Sequence, residues 1–233
     1  MPAVLKVLSA GAAQGITLSF AATLKQATGC TLDAEFGAVG AMRDRFANGE
    51  ACDIVILTAK QVAELAAAGR VLRDVGGSLG EVRTGLAVRT GDPRPPIHDG
   101  PSLAAALRGA EEIHHADPTK ATAGIHFVGV VERLGLTAEI AKQMRPHPRG
   151  HVAMHALAQS KARTALGCTQ ISEIADTPGI EVLGELPPEY GLATAYAVAV
   201  SATSHAPDLA RWLANALVGE GSREARRARG FVV

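Results

Sequence analysis

Between Asp117 and His155 the chain concentrates side chains able to move a proton or hold an anion. His126 stands in AGIHFVG, just past Gly124 of a predicted helix-start turn. An imidazole on the first turn of a helix can face a ligand and serve as general base. Thr119 and Lys120 follow Asp117-Pro118 and precede the same helix, a suitable place for an anion clamp. Arg145 and Arg149 bracket Pro146-His147-Pro148, a stiff stretch that could aim one guanidinium bidentately at a carboxylate. His151 follows Gly150 at the next predicted helix start, and His155 lies one turn further in, on the expected helix surface.

Other reactive groups support less chemistry. His114 and His115 are adjacent on a predicted strand, so they point to opposite faces and at most one can look toward a ligand. His151 and His155 have i, i+4 spacing without the glutamate of an HExxH helix, so no metal site is expected. Glu173, in QISEI, is expected on an exposed helix face and is the second-choice base through its nearness to Gln170. Ser172 has no His-Asp partner in sequence context, which argues against serine-hydrolase chemistry. Cys30, Cys52 and Cys168 lack CxxC spacing and read as small buried hydrophobes.

The elements that must position these groups follow an α/β pattern. Val4–Leu8 reads as a strand, followed by a turn and a helix through Ile16, Phe20, Leu24 and Ala27. Thr31–Phe36 and Asp53–Leu57 repeat the unit, each with a helix after it, which argues for a parallel sheet covered on both faces. EVRTGLAVR at Glu81–Arg89 is extended and leads into Gly91, Pro93, Pro95 and Pro96, where no helix can form. A second series follows, with helices expected at Leu103–Leu107, Thr122–Leu134 and His151–Ala158 and strands at Glu112–His115 and Ala165–Cys168. ATAYAVAV at Ala193–Val200 is extended again, before an amphipathic helix around Leu209, Trp212, Leu213 and Leu217. The two extended stretches predict one lobe inserted in another: residues 1–82 plus 199–233, and residues 83–198. The tail REARRARG is expected as a solvated basic face.

Composition narrows the function classes. The 233 residues are 47% hydrophobic, and 23 Lys+Arg balance 23 Asp+Glu to a net charge of +0. That excludes disorder and argues against a nucleic-acid partner. No run reaches the roughly 18 uncharged apolar residues of a membrane span, so no membrane insertion is expected. MPAVLKVLSAGAAQG enters a strand with no basic n-region, apolar h-region or A-x-A site. As written the chain is expected to be cytoplasmic, and periplasmic if a signal peptide has been removed.

The segments VLSAGAAQGITLSFAATLKQATG, FGAVGAMRDRFANGEACDIVIL and ADPTKATAGIHFVGVVERLGL, with ALGCTQISEI and TAYAVAVS, resemble the periplasmic molybdate-binding proteins of ABC transporters, in order and over nearly the whole chain. The resemblance implies an α/β fold of the type 2 periplasmic-binding-protein class: two α/β lobes joined by two crossover strands, with a ligand cleft between them. In that family, helix N-termini and hydroxyls on the turns after the strands hold the oxyanion. Carried over, those turns fall at Ala12-Ala13-Gln14, Ala38-Val39-Gly40, Thr122-Ala123-Gly124 and Gly150-His151-Val152, and the pocket tyrosine falls at Gln170.

Here the sequence departs from the family. Serines expected on the first two turns are replaced by Ala12 or Ala13 and by Ala38 or Val39. Each oxyanion oxygen left unpaired costs about 1–3 kcal/mol, so molybdate is disfavoured. Lys120, Thr119, His126, Arg149, His151 and Gln170 suit a larger, planar organic anion with several carboxylates. Aconitate isomerase, an enzymatic branch similar to the molybdate-binding proteins, moves a proton across an allylic system and needs carboxylate clamps, a base and a dry site. The expected function is therefore polycarboxylate binding with an aconitate-isomerase-like proton shift, and His126 is the base. Ala12, Ala13, Gln14, Val39, Gly40, Lys120, Thr122, Ala123, Arg149, His151 and Gln170 are the expected ligand-binding residues, with no cofactor and no metal. The alternative is an ABC-transporter-type solute-binding protein for a small anion, the one reading that brings in an ABC permease as partner.

Overall fold

The computed structural model describes residues 3–233. In chain order its elements are β1 (Val4–Ala10), α1 (Gln14–Ser19), α2 (Ala21–Thr28), β2 (Thr31–Gly37), α3 (Val39–Ala47), β3 (Ile54–Thr58), α4 (Ala59–Ala67), β4 (Val71–Arg89), α5 (Gly100–Gly109), β5 (Glu112–Ala116), α6 (Thr122–Arg133), β6 (Met144–His147), α7 (Gly150–Gln159), β7 (Ala165–Gln170), α8 (Ile171–Ala175), β8 (Ile180–Glu185), β9 (Ala193–Ser201), α9 (Pro207–Val218), α10 (Arg223–Ala228) and β10 (Phe231–Val232). They divide into two compact units: one runs to Val82 and resumes at Thr194, and the other is Arg83–Ala193. The return at 193/194 falls earlier than the 198/199 expected from the sequence, because β9 already belongs to the first unit from its second residue.

In the first unit the strand order is β2-β1-β3-β9-β4. β1 runs parallel to both β2 and β3, whereas β9 is antiparallel to β3 with Ile54 opposite Val200. Ile54, Val55, Ile56 and Leu57 are all buried, as a strand covered on both faces requires. The helix expected from Ile16 to Ala27 is broken at Phe20, whose N–H turns back to the Thr17 carbonyl. Gly76 has φ +87°, and a Cβ there would stand 2.1 Å from the Val198 carbonyl oxygen, so β4 passes β9 at a distance only glycine allows.

The basic tail is not wholly solvated. Arg226 is 6% exposed and donates to the carbonyls of Leu79, Val218 and Gly219 and to Ser222 Oγ at 3.0–3.1 Å. A planar guanidinium with five donors can tie several otherwise open carbonyls together, which a solvated basic run would not do.

In the second unit the order is β4-β7-β5-β6. β7, β5 and β6 are parallel neighbours, and β8 and β7 both pair antiparallel with β4. Leu86 and Val88 of β4 join Leu103, Leu107, Phe127, Val130, Leu166 and Cys168 in one core layer. Ala87 and Ala165 join Ala153, Met154, Leu157 and Ile174 in the other, as strand alternation dictates. β6 takes up the stretch expected as a stiff loop. It lies at the end of the strand order, where Pro146 interrupts no interior ladder.

Cys30, Cys52 and Cys168 are buried and free. Burial pushes the Cys52 thiol up to about 12 and raises Cys30 and Cys168 as well. Among the described residues no helix is long and apolar enough to cross a membrane.

Candidate functional site

Because β7, β5 and β6 are parallel neighbours, the starts of α8, α6 and α7 come together along one edge of the second unit's sheet. The register sets Ala116 opposite His147 and His115 opposite Cys168. Helices α4 and α5 close their own first turns with capping boxes, Thr58 with Gln61 and Asp99 with Ser102. By contrast α3, α6 and α7 begin on Ala38, Ala121 and Arg149 with no side-chain cap. Their leading N–H groups are left for another acceptor, and the helix dipole favours a negative one.

At the start of α7 a buried carboxylate already stands close by. Glu173 was expected to be exposed, but α8 follows β7 directly, so its first turn brings residue 173 back beneath Thr169 at the strand end. Glu173 is 5% exposed, and Thr169 Oγ1 donates to its Oε2 at 2.5 Å. The other oxygen, Oε1, lies 3.4 Å from His151 Nδ1. His151 is 4% exposed, and neither ring nitrogen has a hydrogen-bond partner among the described residues. The hydroxyls of Ser172 and Thr84 are likewise buried with no hydrogen-bond partner among the described residues. A buried imidazole beside a carboxylate held from its far side can accept a proton and have the resulting charge stabilised. In the sequence, the signal for Glu173 was the Thr169-x-x-x-Glu173 spacing across a strand end.

The other expected residues are distributed as follows. His126 Nε2 lies 2.7 Å from the Tyr190 carbonyl oxygen. A carbonyl only accepts, so Nε2 carries the proton and only Nδ1 could act as a base. Thr119 gives its N–H and hydroxyl, and Lys120 its N–H, to Asp117 Oδ1 at 2.6–2.8 Å. The Thr119 hydroxyl bond, chiefly, holds the Asp117 carboxyl below the usual range, and the Lys120 side chain is exposed. Thr122 and Ala123 open α6, and a Cβ on Gly124 would stand 2.2 Å from the Asp117 carbonyl oxygen. Arg149 is half-buried in extended backbone at the start of α7, and Gln170 is buried at the start of α8. The second unit thus gathers Thr122, Ala123, Arg149, His151 and Gln170 at adjacent helix starts, with His126 turned to Tyr190. His155 is exposed, unlike His151. In the first unit Ala12 and Ala13 are buried, Gln14 opens α1 with its Oε1 buried and unpaired, and Val39 and Gly40 open α3. The Ser9 hydroxyl is spent on the Ala10 carbonyl at 2.9 Å.

On the other part of β5, His114 Nδ1 meets His147 Nε2 at 3.1 Å, and His114 Nε2 meets Glu112 Oε2 at 3.2 Å. His115 turns to the Ala116 carbonyl and stacks obliquely on Phe127. Burial, first of all, lowers the pKa of His114, His115 and His147. Among the described residues no group of three or more His, Cys, Asp or Glu is placed to hold a metal ion.

The chain belongs to the family of bacterial extracellular solute-binding proteins, which it matches over residues 5–232. Aconitate isomerase of Pseudomonas sp is 29% identical over 227 residues, spanning 95% of this chain and 84% of that protein. The periplasmic molybdate-binding protein of Azotobacter vinelandii superposes with a TM-score of 0.80 at 18% identity, over 98% of this chain and 99% of that one. The substrate-binding protein of an ABC transporter from Agrobacterium tumefaciens gives a TM-score of 0.74 at 14% identity, over 97% and 79%. These structures establish the fold, a periplasmic-binding-protein architecture of two α/β lobes.

Proposed function

We propose that the protein binds a small organic polycarboxylate and catalyses an allylic proton shift of the kind that interconverts aconitate isomers. The observation that carries this reading is the 29% identity to aconitate isomerase, which extends over 95% of the chain. The donor set supports it. Residues 12, 13, 38 and 39 offer no hydroxyl to a tetrahedral oxyanion, while Lys120, Arg149 and Gln170 suit carboxylates. Thr122, Ala123 and His151 open the helices that present those groups. The first unit's Ala12, Ala13, Gln14, Val39 and Gly40 offer a further set of backbone donors for the same class of anion. In the reaction a base takes a proton from the allylic methylene, the double bond shifts, and a proton returns at the far carbon. Atoms and electrons balance without a co-reactant. The family's extracellular description supports a site of action outside the cytoplasm over the cytoplasmic one.

Family membership favours a second reading, a non-catalytic binding protein serving an ABC permease. Thermal-shift measurements with molybdate, sulfate, citrate and both aconitates separate the ligands, since a ligand at 100 times its Kd stabilises by about 2.7 kcal/mol. Proton NMR of trans-aconitate with the protein in heavy water then separates the activities. Isomerisation with deuterium uptake is the expected result. Aconitate binding with neither leaves the binding-protein reading in its place.

A further inference from the structure

We propose that His151, oriented by Glu173 and Thr169, is the proton-transfer group of this site; the inference rests on the isomerase reading and moves the base from His126 to His151. Three observations converge. His151 is 4% exposed and neither ring nitrogen is hydrogen-bonded among the described residues, a condition rare for a buried imidazole unless something else completes it. Glu173 Oε1 lies 3.4 Å from Nδ1, while Thr169 Oγ1 fixes Oε2 at 2.5 Å. Gly150 leaves the space these groups fill, since a Cβ there would come within 2.0 Å of Glu173 Oε2.

The chemistry follows from the donor inventory. A proton on Nδ1 faces an acceptor-only carboxylate oxygen, which leaves the lone pair on Nε2 as the base. Nε2 takes the proton from the allylic carbon, the electron pair spreads over the allylic system toward the conjugated carboxylate, and Nε2 returns the proton to the distal carbon. Glu173 stabilises the imidazolium in between and acts as a positioning residue, as does Thr169. His126 is placed differently: its Nε2 is committed to the Tyr190 carbonyl, and among the described residues no carboxylate is bonded to its ring. Because both nitrogens of His151 are shielded from bulk water, part of the abstracted hydrogen returns to the substrate before it exchanges.

The test is made on the whole chain with trans-aconitate deuterated at its methylene, in ordinary water. The wild-type protein is expected to deliver part of that deuterium to the new methylene of the product. His151→Gln and His151→Asn should lower kcat about 100- to 10,000-fold while aconitate still raises the melting temperature. Glu173→Gln should lower kcat with KM little changed and reduce the deuterium returned, with Glu173→Asp recovering part of both, and His126→Ala should lower turnover far less than the His151 variants do. Loss of turnover in His126→Ala with retention in the His151 variants overturns the assignment and leaves the isomerase reading standing. Complete washout of deuterium by the wild-type protein also overturns it, and needs no variant to fold. Binding of aconitate by the wild type without any isomerisation overturns both.

Discussion

Gly150 and Glu173 occupy one another's space: a carboxylate oxygen of Glu173 lies 2.0 Å from where a Cβ on residue 150 would stand, and Thr169 Oγ1 lies 2.1 Å from it. Gly150→Ala must therefore push a buried, hydrogen-bonded carboxylate aside, a change expected to cost about 1–3 kcal/mol. Urea unfolding measures it. The same substitution in a Glu173→Ala background should cost clearly less, because the obstacle is gone. Equal costs in the two backgrounds would mean that the close approach does not govern stability.

Gly124 poses a harder case. A Cβ there meets backbone oxygens, Asp117 at 2.2 Å and Ala116 at 2.3 Å, and neither can rotate away as a side chain can. Gly124→Ala should destabilise more than Gly150→Ala, by about 3 kcal/mol or more. A smaller loss than at Gly150 would contradict the seating of α6 on the end of β5.

Acid should weaken the second unit before its carboxylates titrate. His114, His115 and His147 have pKa values lowered by burial, so the unfolded chain binds their protons more readily than the folded one. Stability is then fully present above the unfolded histidine value of about 6.5 and is lost as pH falls from there through the lowered folded values. Glu112, which faces this cluster and has Ser160 and Arg145 beside it, is held below the usual carboxylate range, chiefly by the Ser160 hydroxyl, and so does not titrate in that window. Urea midpoints should fall between pH 7.5 and 5.5, and His147→Gln should lessen the fall. A flat profile for the wild type would sink the idea.

Arg226 should matter to stability although it lies in a basic tail. Its side chain ties the carbonyls of Leu79, Val218 and Gly219 together, and Arg226→Ala leaves them without that donor, at a cost of about 3 kcal/mol. Arg226→Lys should recover only part, because one ammonium cannot span three carbonyls in a plane. Identical melting temperatures for all three proteins would show the residue to be dispensable.

Molybdate should bind poorly. The first unit's turns carry Ala12, Ala13, Ala38 and Val39, and the nearby Ser9 hydroxyl is already donated to the Ala10 carbonyl. Calorimetric titration is expected to give no submicromolar molybdate binding, and such binding would refute the argument from missing hydroxyls.

Hydrophobic periodicity was enough to find the elements whose apolar residues repeat strongly. The run Ile54–Leu57 and the spacing of Phe127, Val130 and Val131 read directly as β3 and α6. What escaped was shaped by tertiary context. β6 carries Pro146 and few apolar residues, and it becomes a strand because a neighbour at the sheet edge pairs with it. β8 is charged at both Glu181 and Glu185, and pairing with β4 overrides its polarity. The site was legible as a set of helix-start turns but not as a set of contacts. Gly150 and His151 stand well before Glu173 in sequence, and only the parallel arrangement of β5, β6 and β7 brings them together. His126 looked free in sequence because its partner, a backbone carbonyl at Tyr190, has no side-chain signature.

The buried cysteines give the molecule its own reporters. Cys30 and Cys52 lie in the first unit and Cys168 in the second, and with their thiols held protonated and screened none should react with an alkylating reagent while its unit is closed. Brief alkylation along a denaturant series, followed by peptide mass measurement, therefore reads the opening of each unit separately. Coincident modification at all three positions would mean that a chain which leaves one unit to build another, and then returns, still unfolds as a single cooperative body.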